Sequence, residues 1–141
     1  MATSAIVSRK EEPVVFVIDD DPSVREALAD LLHSINLKAE TFLSAQEFLQ
    51  RKPPDTPGCI VLDVKMPGMS GLEFQRALMK LGVDLPIIFI SGYGDVPTSV
   101  QAMKSGAIEF LTKPLNKQAL LDAIQAGLER DRARRVLRQN L

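Results

Sequence analysis

The chain has 141 residues, of which 45% are hydrophobic and 25% charged, and a formal net charge of −1. That length suits one domain with a proper core, and the composition is ordinary for a soluble globular protein. No apolar stretch reaches the roughly 18 residues of a membrane span, no arginine-led signal peptide is present, and the lone Cys59 leaves no partner for an internal disulfide. No membrane association is expected, and the cytoplasm is the default compartment.

Residues 1–13 are polar, lack periodicity and end at Pro13, so a disordered lead-in is expected. Val14 to Ile18 is a β-branched apolar run that predicts a buried parallel strand, and it stops at Asp19-Asp20-Asp21. Pro22 opens a helix capped by Asp21, with Val24, Ala27, Leu28, Leu31, Leu32 and Ile35 at helical spacing. His33 falls near its C-terminus, where it complements the helix dipole at the surface. Lys38 to Phe42 is short and half polar, suited to a sheet edge. Ser44-Ala45-Gln46-Glu47 reads as a capping box that opens a short helix through Leu49. The proline-rich stretch from Lys52 to Gly58 predicts a loop.

A third strand, Cys59 to Leu62, ends at Asp63, and inside it Cys59 reads as a small core residue. The stretch Val64 to Gly71 is too rich in Pro and Gly for regular structure. A helix then uses Leu72, Phe74, Leu78, Met79 and Leu81 and stops near Gly82. Pro86 to Ile90 predicts strand four, closed by Ser91-Gly92-Tyr93-Gly94-Asp95. Val96 to Ser105 predicts a helix with a thin apolar stripe, ended by Gly106. Ile108 to Thr112 is the fifth run, predicted fully buried like the others, and Lys113-Pro114 follows it. The last helix uses Leu120, Leu121, Ile124 and Leu128. Five βα repeats predict a doubly wound α/β sandwich of flavodoxin-like, CheY-like type, with a parallel five-stranded sheet in the order 2-1-3-4-5.

That order brings the carboxyl ends of strands one, three and five toward one crevice, where open α/β sheets bind ligands. Crowded carboxylates stay ionised beside one another only if a cation joins them. Hard oxygen donors suit Mg²⁺, which keeps several waters and accepts phosphate oxygens. A carboxylate beside Mg²⁺ and a lysine is suited to receiving a phosphoryl group. Alone, a strand-end Asp is a turn or cap residue and Lys-Pro is a turn; the reading rests on their convergence.

Several separated motifs then resemble one family. Asp19-Asp20, Asp63, Met66-Pro67-Gly68-Met69-Ser70-Gly71, Ser91-Gly92 and Lys113-Pro114 are similar, in order and spacing, to the receiver domains of two-component response regulators. Ser91 to Pro97 and Ala102 to Ala107 further resemble the FixJ-like subgroup of LuxR/NarL-type transcriptional regulators. The resemblance covers about residues 14–128 and leaves 129–141 as a basic helical linker. It implies that Asp63 is the phosphoacceptor and takes the group from a sensor histidine kinase. Asp19, Asp20, Asp63 and the Lys65 backbone carbonyl would hold Mg²⁺ or Mn²⁺. Lys113 and Ser91 would contact the phosphoryl group. Ser91 and Phe110 would form the switch, with plain core as the alternative for Phe110 because strand five needs buried aromatics anyway. The resemblance further implies a signalling phosphoacceptor, catalytic only in its own phosphorylation and dephosphorylation, and a phosphorylation-dependent homodimer through the face formed by the helix after Gly94, strand five and the final helix. It also favours a cis Lys113-Pro114 bond, which costs X-Pro only about 0.5–1 kcal/mol.

Three competing readings fit less well. A Mg²⁺-dependent aspartyl-phosphate phosphohydrolase of the haloacid-dehalogenase type needs a second Asp two residues after the nucleophile, where Lys65 stands. A docking module that has lost phosphorylation would lack one acid or the lysine. A DNA-binding protein finds support only in the tail, where five arginines face Glu129 and Asp131, a local charge of +3. No aromatic accompanies them, and Asp131 and Arg135 are spaced for a helical salt bridge, so a solvated extension is expected. DNA contact would need a C-terminal domain beyond these residues; a single-domain regulator without one is the alternative.

Overall fold

The computed structural model describes residues 12–52, 54–64, 68–92, 103, 104 and 106–139. Five strands, β1 (Val14–Ile18), β2 (Lys38–Phe42), β3 (Gly58–Asp63), β4 (Ile87–Ser91) and β5 (Glu109–Thr112), form one parallel sheet in the order β2-β1-β3-β4-β5. The described helices are α1 (Pro22–Ser34), α2 (Ala45–Leu49), α3 (Gly71–Lys80) and α4 (Lys117–Gln139). The expected lead-in as far as residue 11 and most of the expected 96–105 helix lie outside the described residues. Met103 and Lys104 are helical, and Gly106, at φ +100°, closes a turn onto the Met103 carbonyl.

The period-2 alternation of the central strands divides the core in two. Phe16, Ile18, Ile60, Leu62, Ile87 and Phe89 pack under α2 and α3, which contribute Phe48, Phe74 and Leu78. Val15, Val17, Cys59, Val61, Ile88 and Ile90 pack under α1 and α4, which contribute Leu28, Leu32, Leu120, Ala123, Ile124 and Leu128. Phe48 makes edge contacts with Phe16, Phe42 and Phe74 at centroid distances of 5.2, 5.1 and 5.7 Å, the tilted geometry aromatic quadrupoles favour. Cys59 is fully buried as expected, and burial, with the charge of Asp131 added, pushes its thiol up to about 12.

Helix ends follow local chemistry. Asp21 accepts the Ser23 N–H at 2.9 Å with Pro22 in the first turn, as expected, and Ser44 accepts the Glu47 N–H at 3.1 Å. The full reciprocal capping box lies instead at Ser70 and Glu73, which open α3. At its other end, Gly82 (φ +70°) bonds the Met79 carbonyl and Val83 bonds the Leu78 carbonyl. Asn36 (φ +63°) and Leu37 close α1 the same way onto His33 and Leu32, a left-handed Asn in the place glycine usually takes.

Three expectations need correction. β5 is not fully buried: as the second sheet edge it exposes Glu109 and Thr112 and half-buries Phe110 and Leu111. Met79 and Leu81 are exposed, because the inward face of α3 runs through Gly71, Phe74, Gln75 and Leu78. The extension after Leu128 is not solvated throughout, since α4 continues to Gln139 and Asp131 is 1% exposed.

Gly71 sits where α3 meets the sheet. A Cβ there would lie 2.7 Å from Phe89 Cε1 and 3.1 Å from Val64 Cα, closer than packing tolerates. Gly71→Ala is therefore expected to destabilise the fold by about 1–3 kcal/mol despite the better helix propensity of alanine. Urea denaturation checks this, and a midpoint at or above wild type would show that the Val64–Gly71 junction is not tightly packed.

Candidate functional site

The parallel register decides which side chains meet. Ile18 pairs with Leu62, so Asp19 and Asp63, each the next residue, leave β1 and β3 at the same level. One carboxylate oxygen from each of Asp19, Asp20 and Asp63 falls within 4.8 Å of the others. Asp19 is buried, Asp63 half-buried and Asp20 exposed. Lys113, just past β5, reaches over β4 to place Nζ 3.4 Å from Asp63 Oδ2. Its N–H donates to the Ser91 carbonyl at 2.8 Å, which ties the end of β5 to the end of β4. The Lys113-Pro114 bond is cis, as expected. Ser91 is fully buried at the last position of β4, beside Thr112. Phe110 is half-buried and packs against the core one strand from Phe89, with centroids 6.2 Å apart. Asp19, Asp20, Asp63, Ser91 and Lys113 thus gather at one end of the sheet, while Phe110 lies two positions back along β5 from Thr112. Lys65 lies outside the described residues.

Two contacts escaped sequence reading. Asp19 Oδ1 accepts the Asp21 N–H at 2.9 Å, and the Asp19 carbonyl accepts Arg25 Nη1 at 2.7 Å. Together with the Asp21 cap they lock the acidic turn to the start of α1. Arg25 carried a signal that could have been used. A cation near a helix N-terminus opposes the macrodipole, so it is held there by something else.

Burial raises the Asp19 carboxyl above its ordinary value. The Asp21 N–H pulls it back, the charge of Asp63 raises it again, and Lys113 and Asp20 make smaller opposing contributions. The crevice therefore concentrates negative charge that the protein only partly compensates. Oxygen-only donors at this spacing fit a small hard divalent cation.

The sheet order and the acidic crevice at its switch point define a flavodoxin-like α/β protein with a cation- and phosphate-compatible site. Residues 15–125 match the family model described as the response regulator receiver domain, and the chain belongs to that family. Nodulation protein W of Bradyrhizobium diazoefficiens is 52% identical over 122 residues, which cover 86% of this chain and 54% of that protein. The transcriptional regulatory protein FixJ of Azorhizobium caulinodans is 48% identical over 116 residues, covering 82% and 55%. The solved structure of response regulator StyR superposes with a TM-score of 0.86 at 52% identity, covering 92% of this chain and 65% of that one. The chain is thus a FixJ-like receiver domain and spans about half the length of the curated relatives it matches. No helix among the described residues is long and apolar enough to cross a membrane.

The raised Asp19 carboxyl fixes the sign of a pH effect. The folded state binds its proton more tightly than the unfolded chain does, so stability falls as pH rises from the unfolded value, about 3.9, through the raised folded value. In metal-free buffer Asp19→Asn is expected to be more stable than wild type at neutral pH, with the difference vanishing below about pH 4. Urea midpoints measured across pH check this. A gain that persists undiminished at pH 3 would assign it to something other than the carboxylate charge.

Proposed function

We propose that this receiver domain takes a phosphoryl group from a phosphohistidine of a sensor histidine kinase onto Asp63. The observation that carries this reading is the placement of Asp63 beside Lys113 Nζ and within the same small cluster as Asp19 and Asp20. An Asp63 oxygen attacks phosphorus, the O–P bond of an acyl phosphate forms, the N–P bond breaks, and the imidazole leaves and takes up a proton. Charge on the transferring group spreads over three oxygens, so the protein's task is positioning and neutralisation. Lys113 answers one oxygen as an ion pair, and the Ser91 hydroxyl hydrogen-bonds another. Asp19, Asp20, Asp63 and the Lys65 carbonyl would hold Mg²⁺ or Mn²⁺, which supplies positive charge to both carboxylate and phosphoryl oxygens when bound. The domain acts as a cytoplasmic signalling phosphoacceptor, turning over only its own phosphoryl group.

The output follows from the half-buried position of Phe110. Ser91 moving toward the phosphoryl group leaves room for the Phe110 ring to turn inward. That change reshapes the face formed by β5, the segment before it and α4, and promotes a homodimer there. Relatives named as transcriptional regulators support control of transcription through a DNA-binding domain outside these 141 residues.

Acetyl phosphate with Mg²⁺ is expected to add a single phosphoryl group by intact-mass measurement, and Asp63→Asn to abolish it. A modified peptide that excludes Asp63 would overturn the assignment. Asp20→Ala is expected to weaken Mg²⁺ binding without lowering stability, because it deletes a ligand and a repulsion together. Unchanged Mg²⁺ affinity in titration would remove Asp20 from the site.

The dimer is tested separately. Beryllofluoride with Mg²⁺ is expected to shift the sedimentation velocity of wild type to that of a dimer and to leave Asp63→Asn unchanged. A wild-type monomer at high micromolar concentration would defeat the dimer while leaving the phosphoacceptor intact.

A further inference from the structure

At the opposite end of the sheet from the acidic cluster, a second carboxylate is more deeply buried than any in the crevice. Asp131, one turn past the last buried leucine of α4, is 1% exposed. Its Oδ2 accepts the Gly58 N–H at the start of β3 and Arg135 Nε one turn on, each at 2.9 Å. Arg135 also donates from Nη2 to the Pro54 carbonyl at 3.2 Å. On the same side of the helix, Arg134 and Arg138 both reach Asp84 in the loop after α3, at 2.6 and 3.0 Å. We propose that Asp131 is a latch that docks the polar half of α4 on this end of the sheet and makes residues 129–139 a fixed arm of the domain.

The residues that touch the body, 131, 134, 135 and 138, recur at one helical turn, whereas Ala133, Val136 and Leu137 are exposed. Among the described residues no apolar side chain beyond Leu128 is buried, so hydrophobic packing does not hold the arm, and an unpacked helix end frays. Moreover, Asp131 Oδ1 is buried with no hydrogen-bond partner among the described residues. A buried charge with a spare oxygen adds little net stability compared with an apolar side chain, so what it contributes here is geometry. The exposed Asp84 pairs are solvent-screened and steady the arm without holding it alone. The latch stands independently of any role for Asp63.

Hydrogen exchange on the full chain tests it. Asp131→Ala is expected to speed exchange of amides 132–138 roughly ten- to hundredfold, the range set by losing charge-assisted hydrogen bonds. Amides 120–128 are expected to keep their wild-type protection. Asp131→Asn, which retains an acceptor for the Gly58 N–H, is expected to restore part of the protection. Unchanged exchange in 132–138 would overturn the latch, and so would equal acceleration of 120–128, which would make Asp131 a contributor to global stability alone. Should Asp131→Ala fail to fold, Arg135→Gln leaves the Asp131–Gly58 bond in place. It is expected to speed the same amides to a smaller degree, and no acceleration there overturns the proposal.

Discussion

Everything at the functional end of this molecule depends on holding like charges together. Asp19 and Asp63 leave neighbouring strands at one level because β1 and β3 are in parallel register, and that register is locked by apolar residues on both faces. A slip of one residue would turn every core side chain of a strand to the wrong face, at a cost far larger than carboxylate repulsion. The core can therefore impose a charge arrangement that local electrostatics opposes. The Asp19 carboxyl is raised above its ordinary value chiefly by burial, and the neighbouring charge of Asp63 adds to that rise. Partial relief comes from Lys113, from the Asp21 N–H and from whatever cation the cluster accepts.

The surrounding turns keep the crowded groups in place. Arg25 holds the Asp19 carbonyl, Asp21 caps α1, and Gly71 lets α3 come within contact of Phe89 directly after the strand that bears Asp63. Each device ties a strand end to the first turn of the following helix. On the other side of the site β5 is an edge strand and Phe110 is only half-buried, so that side is packed less tightly. Firmly held acids beside a less buried edge suit the proposed switch through Ser91 and Phe110.

At the far end of the sheet the rules differ. α4 begins as an amphipathic helix, with Leu120, Ile124 and Leu128 in the core, and continues as a polar one anchored through Asp131, Arg134, Arg135 and Arg138. A domain limit drawn at the last buried leucine therefore separates parts that touch. Within this one helix, apolar burial supplies cohesion and hydrogen-bonded charge supplies direction.

Much of this was legible in the residues because it is encoded locally. Apolar β-branched runs marked β1, β3 and β4, Pro22 and Asp21 marked the start of α1, and the order of strand-end Asp and Lys residues marked the site. Tertiary structure alone decided which apolar residues were buried. Met79 and Leu81 look as hydrophobic as Leu78, yet only the path of α3 across the sheet selects among them. It also decided that β5 exposes Glu109 and Thr112 and that Arg25 serves the acidic turn. Above all, it decided that Asp131 is buried: its sequence neighbours are charged, and its partner Gly58 lies 73 residues away. Short-range pattern determines elements and the ends of strands. Long-range contact determines which polar groups lose their water, because burial depends on what the rest of the chain places on top of them.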